Sequence, residues 1–194
     1  MSKSNAAGIP VHDLQSFVRF LEEKGELIRI KEPVDPVLEV TEIADRFVKN
    51  GENPALLFEN PVPGKYSAKF GRTEAAKDAD GNPVPLLINL YASEQRMAWA
   101  LGCNSIAEAV AKIEEPLKMG PPDGLWGKVR MLGKLKGWGE GMPKSVGKGA
   151  CQEVVVKGAD LEKRGILDMM PVLTTWPGDG GPYITTPLVI TRNP

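Results

Sequence analysis

Leu14, Phe17, Val18 and Leu21 recur at helical spacing behind Asp13, a residue able to cap the free N–H groups of a helix start. This predicts an amphipathic helix with one buried stripe, ended at Gly25. Leu27, Ile28 and Ile30 then alternate with charge as a strand does, and "KEPVDP" supplies a turn. Val40, Ile43, Ala44 and Phe47 mark a second helix, stopped by "NG" at 50–51. "PALLFEN" and "PLLINL" are short and almost wholly apolar, as expected of strands covered on both faces. "DADGNP" is a loop between them. Ser93 is placed to cap "EQRMAWALG", and Ser105 with Glu108 forms a capping box for "SIAEAVAKIEE", a helix expected to end before Pro116. Helices and strands alternate through residue 115, the pattern of a layered α/β domain.

Residues 116–149 differ in texture. They hold nine glycines, four prolines and seven Lys or Arg against Asp123 and Glu140, a formal charge of +5. "LWGKVRMLGKLKGWG" interleaves Trp126 and Trp138 with cations in the manner of a single-strand nucleic-acid surface. The bland alternative is a connector with one short amphipathic helix, Leu125, Val129, Leu132 and Leu135 facing a neighbour. Glycine and proline at this density break any regular binding platform, which favours the connector. From Cys151 the pattern turns to β: "CQEVVV" as a strand, a helical turn capped by Asp160, and two extended segments around "GDGG". The expected organisation is an α/β domain at 1–115, a basic connector at 116–149, and the opening strands of a β domain from 150 to 194.

The totals narrow the functional classes. With 24 Lys plus Arg against 25 Asp plus Glu, no global field draws the chain to nucleic acid or an anionic membrane. The 42% hydrophobic and 25% charged content is that of a globular protein, and no stretch reaches the roughly 20 apolar residues of a membrane span. The N-terminus lacks the apolar segment of a signal peptide, so a cytoplasmic protein is expected. Cys103 and Cys151 are too far apart for a redox pair or zinc spacing and read as buried thiols. His12, the one histidine, excludes triads and two-histidine metal sites and reads as an exposed leader residue.

"GDGG" matches neither a Walker loop nor a dinucleotide fingerprint, and it runs into a strand rather than a helix. It reads as a tight turn in which Gly178, Gly180 or Gly181 takes positive φ. Thr185 and Thr186 then fall on opposite strand faces, so one hydroxyl faces inward and needs a partner, from the backbone or from a ligand. The neighbouring carboxylates Glu22, Glu23, Glu114 and Glu115 point in different directions and read as solvated. Arg96 and Arg192 are candidates for anion contacts, with surface ion pairing as the default.

"DLQSFVRFLEEKGELIRI", "PALLFEN", "PLLINLYASEQRMAWALG", "CQEVV" and "WPGDGGPYITTPLVITRNP" stand in the order and spacing of UbiD-like decarboxylases, so that nearly the whole chain, from Asp13 to Pro194, resembles that family. The resemblance implies reversible decarboxylation of aromatic or α,β-unsaturated acids with prenylated FMN, a divalent metal, usually manganese, and a monovalent cation such as potassium. It implies an α/β domain followed by a split β-barrel that holds the flavin and a C-terminal domain that aids oligomerisation, with the cofactor supplied by a flavin prenyltransferase. The present chain resembles the first domain and the opening strands of the second. The metal ligands, the flavin-side arginine and the catalytic glutamates of the family lie beyond "TRNP", so no catalytic or metal residue is carried over. Thr185 alone resembles a residue lining the flavin. Pro187 and Ala92 depart from the family, which often has glycine at both places.

The resulting expectation is the N-terminal part of a carboxy-lyase, inactive as 194 residues alone and homo-oligomeric when complete, with no nucleic-acid partner and no membrane span. The rival is a non-catalytic binding or assembly module that keeps the α/β domain as an interaction surface.

Overall fold

A computed structural model of the chain describes residues 13–78, 80–118, 145–149, 153, 155–163 and 169–185. Three strands, β1 (Leu27–Ile30), β2 (Ala55–Phe58) and β3 (Leu86–Ile88), form a sheet in that order. β1 and β2 are parallel, Leu27 facing Ala55 through Ile30 facing Phe58, and α2 (Glu39–Lys49) provides the crossover that parallel neighbours require. β3 runs antiparallel to β2, with Leu56 opposite Ile88 and Phe58 opposite Leu86. The remaining helices are α1 (Leu14–Glu23), α3 (Lys65–Lys69), α4 (Glu94–Ala100), α5 (Ile106–Leu117) and α6 (Ala159–Lys163).

β2 explains the layering. All four of its residues are buried, and strand alternation sends them to opposite sides. Ala55 and Leu57 join Phe17, Phe20, Leu21 and Leu27 on the α1 side. Trp99 of α4 meets Phe20 there edge to face at 5.2 Å. Leu56 and Phe58 join Val34, Val40, Ala44 and Leu173 on the α2 side. The predicted α/β layering is present, and the second core recruits a residue from far down the chain.

The local signals account for the helix ends. Ser16 N–H donates to Asp13 Oδ1 (2.6 Å) and Asp13 N–H returns a bond to Ser16 Oγ (3.1 Å), a reciprocal cap with serine in the third position. Gly25 takes φ +71°, and Glu26 N–H closes onto the Leu21 carbonyl at 2.9 Å, so the helix stops where glycine relieves the Cβ clash. Ser93 Oγ accepts from Arg96 N–H at the head of α4. At α5, Ser105 Oγ accepts from Glu108 N–H (3.2 Å), while the Glu108 carboxylate accepts from Asn104 N–H (2.8 Å), one residue earlier than a standard box.

Several expectations are corrected. Leu14 is 56% exposed although it shares the α1 stripe, because it lies a full turn ahead of the buried residues. β3 is half-buried rather than buried, as suits the edge of the sheet. α5 runs through Pro116 to Leu117, since a proline near a helix end withholds only one donor and Lys118 N–H still reaches the Glu114 carbonyl (2.9 Å). Asp160 sits inside the first turn of α6 instead of capping it. Glu153, Val155 and Val156, the described residues of "CQEVVV", are in no strand. The amphipathic helix expected at Leu125–Leu135 and the strand beyond Thr185 lie outside the described residues.

Candidate functional site

The glycine loop is organised by an aspartate. Asp179 Oδ2 accepts from the Trp176 N–H (2.8 Å), the Thr175 N–H (3.0 Å) and Thr175 Oγ1 (3.1 Å), and Asp179 N–H donates to the Trp176 carbonyl (3.1 Å). The hydrogen bond from Trp176, followed by those from Thr175, outweighs partial desolvation and holds the Asp179 carboxyl below the usual range. A loop that binds phosphate keeps its N–H groups free for the ligand. Here the chain's own carboxylate fills that role, so "GDGG" is a closed turn, as its motif predicts. Of its glycines only Gly181 has positive φ, at +154°.

Both stems of the loop are fixed. Tyr183 N–H donates to the Leu173 carbonyl (2.8 Å) in an antiparallel bridge, and the Tyr183 hydroxyl pairs with Thr175 Oγ1. Thr174 forms a parallel bridge with Val37, and Leu38 N–H donates to its carbonyl (2.9 Å). Val37 and Thr174 are each 1% exposed. Arg72 Nη1 adds a bond to the Val172 carbonyl (3.3 Å). The loop is therefore docked onto the α/β layer through its first stem.

Beneath this stem lies a carboxylate that sequence reasoning took for part of a turn. Asp35, 2% exposed, accepts at Oδ1 from the Val37 N–H (3.0 Å) and the Ser67 hydroxyl, and at Oδ2 from the Tyr66 N–H (3.1 Å) and Ser67 N–H (3.0 Å). Burial pushes the Asp35 carboxyl up, but the bonds from Ser67, Val37 and Tyr66 together overcome it and hold it below the ordinary range. A carboxyl with a lowered folded-state pKa contributes stability above its unfolded value, about 4, and loses it as pH falls through the folded value. Wild type should therefore exceed Asp35→Asn most at neutral pH, with the gap in urea midpoint narrowing toward about pH 3. A gap that widens on acidification contradicts this.

A Cβ on Gly64 would stand 2.8 Å from Asp35 Oδ2, an atom locked by two N–H donors. Gly64→Ala should lower stability by about 1–3 kcal/mol, read by chemical denaturation.

Thr185 is exposed at a bend two residues past the Tyr183 bridge, so its hydroxyl is turned to no wall built by the described residues. Thr186, Pro187, Arg192, Cys151 and His12 lie outside the described residues. Arg96 is placed differently from the surface pair expected of it: it is 1% exposed and pairs with the half-buried Glu26. Glu22 and Glu114 are on solvated faces, paired with Arg29 and Lys118. Cys103 is buried and free, its sulfur 3.3 Å from Lys112 Nζ. Among the described residues no group of three or more His, Cys, Asp or Glu could hold a metal, and no helix is long and apolar enough to cross a membrane. A cleft of about 920 Å³ is lined by Pro36, Pro61, Met170 and Pro171 with Arg72, Lys77 and Lys163 set against Glu74 and Asp78. That near balance of charge gives it no strong preference for an anion.

Comparison with known proteins assigns this architecture. Residues 18–114 match the model of the 3-octaprenyl-4-hydroxybenzoate carboxy-lyase N-terminal domain, and residues 144–194 match that of the Rift-related domain of the same carboxy-lyase. The chain belongs to the UbiD family. An uncharacterised protein of Aquifex aeolicus (strain VF5) is 39% identical over 188 residues, covering 96% of this chain and 34% of its own length. An evolved dimeric form of the UbiD-class enzyme HmfF from Pelotomaculum thermopropionicum, solved in complex with prFMN, shares the fold. Its TM-score is 0.51 at 23% identity, over 90% of this chain and 30% of that one. The chain thus spans about a third of the length of these relatives. The glycine loop falls in the Rift-related match and its docking partners, Asp35 to Leu38, in the UbiD N-terminal match.

Proposed function

We propose that the protein to which this chain contributes is a non-oxidative carboxy-lyase that removes, or adds, the carboxyl group of aromatic or α,β-unsaturated acids with prenylated FMN. The observation that carries this reading is the tandem match to both UbiD domains, N-terminal over residues 18–114 and Rift-related over residues 144–194. The HmfF relative, solved with prFMN, supports the choice of cofactor.

In this reading the described residues contribute a rim of the flavin site rather than its walls. Thr185 offers an exposed hydroxyl at the end of a stem that is itself rigidly bonded, which suits a rim contact. Manganese finds no ligand set among the described residues. When bound, the modified flavin supplies an electron-accepting ring for the density left on carbon as carbon dioxide departs. This chain's part is to hold the loop and present Thr185. The barrel that completes the flavin pocket, the cytoplasmic location and the homo-oligomer belong to this same proposal, and the dimeric form of the HmfF relative supports the last.

The test is to express the complete protein with a flavin prenyltransferase and to assay carbon dioxide release from a panel of aromatic and unsaturated acids with Mn²⁺ and K⁺. Flavin absorbance with release from at least one acid is the expected result, and the purified 194 residues should release none. A colourless complete protein, inert toward the whole panel, would overturn the reading.

A further inference from the structure

We infer that Asp35 is a positioning residue for the glycine loop: a carboxylate buried in the N-terminal domain that sets where the stem carrying Tyr183 and Thr185 stands. Only the final step, from a held loop to a held flavin, rests on the function proposed above.

The connection is continuous and almost wholly backbone. Asp35 gathers two sets of donors from separate segments of the chain. The Ser67 hydroxyl and the N–H groups of Tyr66 and Ser67 come from the start of α3, and the Val37 N–H comes from the segment that leads into α2. Val37 is the residue that bridges Thr174. Next to it Leu38 takes φ +70°, a conformation that a leucine keeps only where its surroundings over-determine it, and in it the Leu38 N–H reaches the Thr174 carbonyl. The Thr174 hydroxyl is buried without a hydrogen-bond partner, so side-chain bonding does not hold this residue. Its attachment is the backbone pairing that Asp35 underpins, together with Leu173 seated among Val34, Val40 and Phe58. Leu173 in turn accepts from Tyr183 N–H, and Thr185 follows two residues later.

A carboxylate can accept from all four donors, whereas an amide presents N–H groups to at least one of them. Asp35→Asn should therefore free Val37 from α3 and loosen the loop beyond what its loss of global stability explains.

The experiment is hydrogen exchange followed by mass spectrometry on the complete protein, in wild type, Asp35→Asn, Ser67→Ala, and Phe20→Leu as a control on the opposite side of the sheet. Urea is adjusted so that all have equal global stability. The expected result is exchange about tenfold faster in a peptide covering Leu173–Thr185 for Asp35→Asn, and a smaller acceleration for Ser67→Ala, with Ala55–Phe58 behaving as in Phe20→Leu. Equal acceleration of both peptides in all variants overturns the inference. Should Asp35→Asn fail to fold, Ser67→Ala, which removes a single donor, decides alone by the same comparison. The flavin spectrum of each variant separates the two readings. A loosened loop with a shifted flavin band or lost flavin supports both, and a loosened loop with an unchanged spectrum supports the positioning while overturning Thr185 as a flavin contact. A loop no looser than in the control overturns the positioning whatever the spectrum.

Discussion

Arg96→Ala is expected to lower the unfolding free energy by about 3–5 kcal/mol, the range for removing one partner of a buried ion pair. Arg96 is among the most completely covered side chains described. Its Nη1 donates to Glu26 Oε2 (2.7 Å), its Nε to the Leu90 carbonyl (3.2 Å) and its Nη2 to the Asn89 carbonyl (3.1 Å). Asn89 itself takes φ +58°, so the guanidinium fastens an irregular turn between β3 and α4 onto the residue that precedes β1. Truncation strands two carbonyls and leaves a cavity. Glu26, 36% exposed, recovers part of its hydration, which places the effect at the lower end of the range. Arg96→Lys should recover less than half of the loss, because one ammonium cannot span three acceptors in a planar fork. Urea unfolding at pH 7 reads both, and a change below about 1 kcal/mol for Arg96→Ala would show that Arg96 is no structural fastener.

Phe58→Ala should cost about 3–5 kcal/mol as well, by a different cause. Phe58 is 0% exposed at the end of the central strand, in the cluster of Val34, Val40, Ala44, Leu56 and Leu173. Its ring is enclosed by residues on separate elements, fixed in position by the sheet register and by the Val37–Thr174 bridge, so collapse into the void is limited. Urea unfolding checks it, and a loss of under about 1 kcal/mol would mean that the cluster repacks freely.

These two side chains also show what the sequence makes legible. α1, α4 and α5 start directly after the caps that announce them, and α2 stands where its apolar stripe places it, because these signals are local. The four buried residues of β2 could be read from an unbroken apolar run. α3 has only five residues, between Gly64 and Phe70, too short for any periodicity to register. For Arg96 and Asp35 the sequence supports only the defaults, a surface ion pair and part of a turn, since a charged residue goes inside only when partners distant in sequence are waiting. Glu26 lies 70 positions from Arg96 and Ser67 lies 32 from Asp35, and no motif encodes such pairings. The glycine loop is legible as a turn from its motif, while its organiser, Asp179, stands out less than the glycines around it. An aspartate three or four residues beyond a Thr-Trp pair is the signal that could have found it. Nothing in composition or spacing indicated a reaction, which entered through resemblance.

Leu173 closes the core built by Val34, Val40, Leu56 and Phe58, and Arg72 bonds the Val172 carbonyl from 100 residues upstream. On a ribosome adding about 5–20 residues per second, the α1–β1–α2–β2 unit waits roughly 5–20 s for its last apolar plug. Through that interval the α2 side of the sheet presents an open apolar groove, the kind of surface that chaperones bind and nascent chains share. The stem of the glycine loop is thus also the piece that ends this exposure during synthesis.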